Sequence, residues 1–191
     1  SLVHSQIIPV GGNHFTNDLA VGLKIPHAEA ERIKINHGCV LAETINQSAH
    51  IAVQGIAGSK AREVSLSVIA KILGARAEEL FNLIKINLRD RNIDFELTGG
   101  IILTGGGALI NSLPELGEYI LDKPTKIGYP SSFGGMTNIM QNPKFSTVLG
   151  LLIEAGKGEQ VNGHIEHNDS VNPDLIGKLS DSLKTVFREI F

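Results

Sequence analysis

The chain has 191 residues, of which 42% are hydrophobic, and a formal net charge of −3. This length allows one well-packed core with at most a small added subdomain. The charge and the absence of a strongly basic window exclude a nucleic-acid-binding protein. A single cysteine excludes an intrachain disulfide and fits a reducing compartment. No apolar run reaches the roughly 20 residues that a membrane-spanning helix needs.

The hydrophobic pattern predicts helices that alternate with short strands. Apolar residues at three- and four-residue steps indicate helices, and short apolar runs or alternation indicate strands. The predicted elements are a hairpin over 1–12, helices over 16–23 and 27–36, a small β excursion over 44–65, a helix over 64–91, a buried strand with a glycine turn over 99–107, a helix through 116–121, a strand over 125–128, a loop-rich stretch over 130–145 and a helix over 147–155. Thr16 is expected to cap its helix, Gly38 to end the next in a left-handed conformation, and Gly74 to kink or break the long helix.

The composition changes after Gly156. Residues 156–174 are polar, contain glycine and lack large apolar side chains almost entirely, which predicts a flexible linker. Residues 175–191 then place apolar side chains on one helical stripe: Leu175, Ile176, Leu179, Leu183, Val186, Phe187, Ile190 and Phe191. Such a helix can dock on its own domain or lie on a membrane. The preceding linker detaches it from the core and favours the membrane.

The first candidate site is the glycine turn at Leu103-Thr104-Gly105-Gly106-Gly107. Consecutive glycines between a strand and a helix let the backbone approach a ligand where side chains would clash. The alternative is a tight turn that binds no ligand. The turn does not match the glycine spacing of the dinucleotide-binding fingerprint.

The second candidate site is formed by Glu31, Lys34 and Gly38. Glu31 and Lys34 are three residues apart and therefore share a helix face. A carboxylate beside an ammonium group could hold ribose hydroxyls and a base. The alternative is an ordinary surface ion pair.

Other patterns do not support catalysis or metal binding. Residues 58–60 have the wrong order for a phosphate-binding loop. His164 and His167 have no acidic or thiol cluster beside them, as a metal site would need. Cys39 has only His37 nearby, which is too little for a nucleophilic thiol site. We therefore predict no catalytic residue and no metal ligand.

Several stretches, taken in order, resemble FtsA, a family of actin-like bacterial division proteins. They are IPVGG (8–12) with TND (16–18), AERIK (30–34) with GC (38–39), RAEEL (76–80), ILTGGG (102–107), KIGYP (126–130) and STVLGLL (146–152). Residues 187–191 are similar to the family's membrane-targeting end. Each motif is weak by itself, but the ordered set over about residues 5–155 is specific.

The resemblance implies an α/β fold, namely the second half of an actin/Hsp70-like (RNase H-like) ATPase with an inserted helical subdomain. The implied divisions are an actin-like α/β subdomain at 1–13 and 96–155, a helical/β insertion at 14–95, a flexible linker at 156–174 and an amphipathic membrane-targeting helix at 175–191.

The resemblance also implies an ATP site. Its expected residues in this chain are Gly12, Glu31, Lys34, Gly38, Gly105, Gly106 and Gly107. In this family the phosphate-binding hairpins, the acid that coordinates Mg²⁺ and the groups that position water lie upstream of Ser1. The chain is therefore expected to hold half of a nucleotide site and not to hydrolyse ATP alone.

The implied partners are the C-terminal peptide of the tubulin-like FtsZ, further copies of the protein in a filament, and membrane lipid. Arg76 is the candidate contact for the peptide. The candidate membrane contacts are Leu179, Leu183, Val186, Phe187, Ile190 and Phe191, on the cytoplasmic face of the inner membrane at the division site. The alternatives are a pilus-assembly ATPase, an Hsp70-like chaperone, a small-molecule kinase fragment, or an interaction domain without a ligand.

Overall fold

The computed structural model describes residues 2–55, 60–93, 97–130 and 141–161. The predicted membrane-targeting helix and most of the predicted linker lie outside these ranges. The helices are α1 (Gly12–Leu23), α2 (His27–His37), α3 (Leu66–Asp90), α4 (Leu113–Leu121) and α5 (Ser146–Val161); the strands are β1 (His50–Val53), β2 (Arg62–Ser65), β3 (Ile101–Leu103) and β4 (Thr125–Ile127). Contacts divide the chain into a unit of residues 1–151 and a unit of residues 152–191.

The start of the chain differs from the prediction. The described residues before Gly11 contain no strand, so the predicted hairpin is wrong; a strand needs a partner for its backbone groups. Helix α1 begins at Gly12, and the Gly11 amide donates to Nδ1 of His14 at 3.2 Å. Thr16 is therefore not a cap but lies inside α1, where it is fully buried. The predicted end of α1 at Leu23 is confirmed.

Two glycines allow close approach of backbone segments. Gly38 ends α2 with φ −64°, in an extended conformation, so the predicted left-handed cap is wrong. A Cβ at Gly38 would lie only 2.2 Å from the carbonyl oxygen of Lys34. Helix α3 runs through Gly74 without a break, and a Cβ there would lie 2.6 Å from the carbonyl oxygen of Val40. Glycine at position 74 thus lets the chain after α2 pack directly on α3.

The predicted β excursion is an antiparallel hairpin of β1 and β2. Its register pairs His50 with Ser65 and Val53 with Arg62. Ser65 then caps α3, because its hydroxyl accepts the amide N–H of Ser67 at 3.2 Å. The hairpin therefore leads directly into the long helix that the apolar pattern predicts.

Strands β3 and β4 form a parallel pair, with Ile101 opposite Thr125 and Leu103 opposite Ile127. Helix α4 makes the crossover between them, as parallel pairing requires. The prediction that β3 is buried is wrong for one face, because Ile102 is 61% exposed. The carboxyl end of β3 opens into the glycine turn, and ligands of α/β sheets bind at such strand ends.

Helix α3 lies at the centre of one core, because it contacts both α1 and α4. The core residues that are almost fully buried include Leu19, Ile33, Val53, Ile69, Leu73 and Phe81. Each such side chain contributes roughly 1.5–3 kcal/mol by its burial. Residues on both sides of the predicted subdomain boundaries share this core, and the division itself stays a prediction.

Helix α5 confirms the predicted helix over 147–155 and extends it at both ends. It begins at Ser146 and continues to Val161, beyond the predicted start of the linker at Gly156. Residues 131–140 lie outside the described residues, as does the chain from residue 162.

Candidate functional site

A cavity of about 470 Å³ lies where α2, the glycine turn and the segment before α5 meet. Its lining residues are Glu31, Lys34, Ile35, Gly106, Gly107, Leu109, Ile110, Asn142 and Lys144. The structure therefore brings the two predicted sites together, since Glu31 and Lys34 face the same space as Gly106 and Gly107. The two sites are far apart in the sequence.

Lys34 lies at the centre of a hydrogen-bond network beneath this cavity. Its side chain is only 10% exposed. The Nζ atom donates to the carbonyl oxygen of Gly12 at 3.1 Å, to Oγ1 of Thr16 at 2.8 Å and to Oε2 of Glu31 at 2.7 Å. An ammonium group has three N–H donors, so these three partners use all of them.

Glu31 is the more exposed member of this network, with 39% of its side chain accessible. Its Oε2 atom accepts from Lys34 and from the hydroxyl of Thr16. Burial raises the pKa of the Glu31 carboxyl, but hydrogen bonds from Lys34 and Thr16, with the charges of Lys34 and His27, outweigh this and hold the pKa below its ordinary value. At neutral pH the cavity is therefore lined by an ionised carboxylate, which can accept hydrogen bonds from hydroxyl groups.

The glycine turn leaves open space on the side of the cavity. Gly105 has φ +87°, a conformation that favours glycine, and the chain continues as a 3-10 turn over Gly106–Leu109. A Cβ at Gly106 would have Lys144 Cβ at 3.7 Å as its nearest neighbour, and a Cβ at Gly107 would meet nothing within 4 Å. There is therefore room for a side chain at either position, and one at Gly106 would lie beside Lys144, which lines the cavity.

Asn142 and Lys144 form a wall that the sequence analysis missed. The sequence predicts only a loop-rich stretch over residues 130–145. Asn142 caps a short 3-10 turn by accepting the amide N–H of Lys144 at 3.1 Å, and the Gly105 amide donates to the carbonyl oxygen of Pro143 at 3.2 Å. The Asn-Pro pair was the available signal, because asparagine before proline favours such a turn.

Gly12 and Gly38 support the cavity without lining it. Gly12 begins α1 and contributes its carbonyl oxygen to Lys34. The carbonyl oxygen of Gly38 accepts the amide N–H of Asn111 at 3.3 Å. This bond ties the end of α2 to the segment that follows the glycine turn.

Arg76 lies in a different surface pocket, which Asp18 and Glu79 also line. Its Nε atom is 2.5 Å from Oδ2 of Asp18, its Nη2 atom is 3.0 Å from Oδ1, and its Nη1 atom donates to Glu79. Arg76 thus joins α3 to α1 through a bidentate ion pair with Asp18. A peptide carboxylate would have to compete with these two acidic side chains.

Comparison with known proteins gives the family. The family model for the cell division protein FtsA matches residues 1–150. The chain belongs to the FtsA family. It is 36% identical over 150 residues to FtsA of Pseudomonas aeruginosa, 38% over 157 residues to that of Neisseria meningitidis and 32% over 173 residues to that of Escherichia coli K12. These matches cover 78%, 82% and 87% of this chain and 36%, 38% and 41% of those FtsA proteins, so the chain spans about two-fifths of their length.

Two solved structures show that this chain has an actin-like fold. Crystal structures of MreB5 of Spiroplasma citri bound to ADP and bound to AMPPNP match with TM-scores of 0.62 and 0.56 and identities of 21% and 24%. Both matches cover 82% of this chain, and they cover 48% and 49% of the MreB5 chains. The predicted α/β actin-like fold is therefore confirmed. Among the described residues, no helix has the length and apolar character needed to span a bilayer.

Proposed function

We propose that this chain supplies the adenosine-binding half of an ATP site in an FtsA cell division protein. The observation that carries this proposal is the meeting of the Glu31 carboxylate and the open glycine backbone of Gly106 and Gly107 in one cavity. The actin-like MreB5 chains were crystallised with ADP and AMPPNP, which supports an adenine nucleotide as the ligand.

The residues of the cavity fit the adenosine part of ATP. A volume of about 470 Å³ lies within the range of roughly 300–1,000 Å³ that is typical of small-molecule sites. Glu31 would accept hydrogen bonds from ribose hydroxyls, and the exposed aliphatic side chains of Ile35 and Leu109 would cover the faces of a base. The proposal places the phosphate groups and Mg²⁺ on protein groups outside this chain.

Glu31→Gln tests this role. The substitution keeps the size of the side chain but removes its charge, so we expect the affinity of full-length FtsA containing this chain for ATP to fall by about 1–2 kcal/mol. Isothermal titration calorimetry would measure the change. The matched control is Glu29→Gln on the same helix, because Glu29 pairs with Arg32 at 2.6 Å and does not line the cavity. Equal ATP affinity in Glu31→Gln and the wild type would remove Glu31 from the site.

The proposed role of the whole protein is that of an actin-like tether. Nucleotide binding would support a filament of identical copies, the C-terminal peptide of FtsZ would dock near α3, and residues 175–191 would hold the filament on the inner membrane. Membership of the FtsA family and the actin-like fold support this role. An amphipathic C-terminal stripe supports the membrane contact.

Arg76→Glu tests the peptide contact. Reversing the charge should lower the affinity for the FtsZ peptide about tenfold, or about 1.4 kcal/mol, because an arginine pairs well with a peptide carboxylate. Fluorescence anisotropy with a labelled peptide would measure it.

The ion pair between Arg76 and Asp18 requires a matched control, since Arg76→Glu also loosens α3 from α1. Asp18→Asn weakens the same ion pair but leaves the positive charge, so it should bind the peptide at least as tightly as the wild type. If Asp18→Asn loses the peptide as Arg76→Glu does, the contact between the helices is responsible. Unchanged binding in Arg76→Glu would exclude Arg76 from the peptide site.

A further inference from the structure

We propose that Thr16 and Lys34 form a buried strut that positions the Glu31 carboxylate, so that Thr16 sets the affinity for a ribose-containing ligand without touching it. This inference rests on the proposed ATP site and adds a positioning residue to it. The sequence predicts Thr16 as a helix cap, but in the structure Thr16 lies inside α1.

Thr16 connects α1 to α2 through hydrogen bonds with Lys34 and Glu31. Its side chain is 0% exposed, and its Oγ1 atom accepts from Lys34 Nζ at 2.8 Å. Its hydroxyl hydrogen can be donated to Oε2 of Glu31 or to the carbonyl oxygen of Gly12 at 3.2 Å, and the contact with Glu31 is the shorter one. A hydroxyl can accept and donate at the same time, whereas a methyl group of similar size can do neither. Thr16 thus joins α1 to two residues of α2 through a single oxygen atom.

The donors of Lys34 are used up inside the protein. Gly12, Thr16 and Glu31 take the three N–H bonds of its ammonium group, so none remains for a ligand. Lys34 therefore acts on a ligand through Glu31, although it lines the cavity. Its buried charge is stabilised by these same partners, as a buried ammonium group requires.

The network also defines which oxygen of Glu31 meets the ligand. Oε2 accepts from both Thr16 and Lys34, and within the described ranges no hydrogen bond to Oε1 is found. A carboxylate with one oxygen held in this way offers acceptors in a fixed direction. Its natural complement is a vicinal diol, because ribose brings two hydroxyl donors where 2′-deoxyribose brings one. A phosphate group would be repelled at this position.

Thr16→Val and Thr16→Ser in full-length FtsA form the test pair. Valine keeps the shape but removes the hydroxyl, and serine retains the hydroxyl. The dissociation constants of ATP and 2′-deoxy-ATP would be measured by calorimetry. We expect the wild type to prefer ATP about fivefold, Thr16→Val to bind ATP about tenfold more weakly and to lose this preference, and Thr16→Ser to keep it.

Two results would overturn the strut. One is an unchanged preference for ATP in folded Thr16→Val, and the other is equal loss in Thr16→Ser and Thr16→Val. If valine alone prevents folding by leaving Lys34 short of an acceptor, the double variant Thr16→Val/Lys34→Met removes both polar partners and should show the same loss of preference.

A second readout separates this inference from the proposed function. Titration of the nucleotide-free protein by NMR should show a higher pKa of Glu31 in Thr16→Val than in the wild type, because a hydrogen bond to the charged form is lost. A wild type that binds no ATP would overturn the proposed function, and the Glu31 titration would then decide the strut by itself. An unchanged pKa of Glu31 would show that Thr16 does not hold the carboxylate.

Discussion

Gly106→Val is expected to abolish ATP binding by full-length FtsA containing this chain, with a loss of at least about 100-fold, or about 2.8 kcal/mol. The backbone at Gly106 has no positive φ, so valine should be accepted without the strain that Gly105 would impose. Its side chain would lie beside Lys144, which lines the cavity and whose Cβ would be 3.7 Å from the new Cβ. The ligand and the added methyl groups cannot occupy the same volume.

Gly150→Val provides the control for this substitution. Gly150 lies on α5, does not line the cavity, and a Cβ there would meet nothing within 4 Å. Calorimetric titration with ATP should therefore give the wild-type affinity for Gly150→Val. Thermal unfolding of both variants would establish that each is folded. If folded Gly106→Val still binds ATP normally, the adenosine does not lie against this turn.

Phe187→Glu should release full-length FtsA from liposomes. The prediction rests on the sequence, since residues 175–191 lie outside the described part of the chain. As a helix, this segment would be about 25 Å long, too short to span a bilayer comfortably but suited to lie flat in its interface. Phe187 and Phe191 are four residues apart, so both rings would enter the acyl boundary together.

We expect the attachment to the membrane to be reversible. Each buried apolar side chain contributes roughly 1.5–3 kcal/mol, and the folding of a short helix on arrival offsets part of this gain. A glutamate at position 187 would bring a charge into the apolar face. Lys184→Ala should only weaken binding and make it less sensitive to salt, because in such a helix Lys184 would lie off the apolar stripe, near the lipid headgroups.

Liposome flotation would decide between a membrane anchor and a docked helix. The truncated variant should end after Val161, because α5 continues to that residue and an earlier cut would shorten a helix. The full-length protein should float and the truncated one should not. If both float equally, or if neither does, residues 175–191 are not the anchor and a helix docked on its own domain becomes the better explanation.

The features that the sequence predicted correctly depend on neighbouring residues. Helix α3 was predictable because its apolar residues recur at helical steps over 25 residues. The glycine turn after β3 was predictable because consecutive glycines follow a short apolar run. The ordered motifs identified the FtsA family for the same reason, since glycine turns and short signatures can be recognised from neighbouring residues alone. Glu31 and Gly106 could therefore be predicted as site residues, although the sequence does not show that they line the same cavity.

The rest depended on contacts between residues distant in the chain. Threonine is a residue type that often caps helices, so the sequence favours that role for Thr16. Only the packing of α1 on α2 buries Thr16 beside Lys34. Ile102 belongs to an apolar strand, yet its exposure depends on what covers the sheet. The sequence predicts that Lys34 binds the ligand directly. The structure shows that three acceptors within the protein already bind its three N–H donors. Burial and hydrogen-bond partners are properties of the tertiary structure, because local sequence does not specify which distant group completes them.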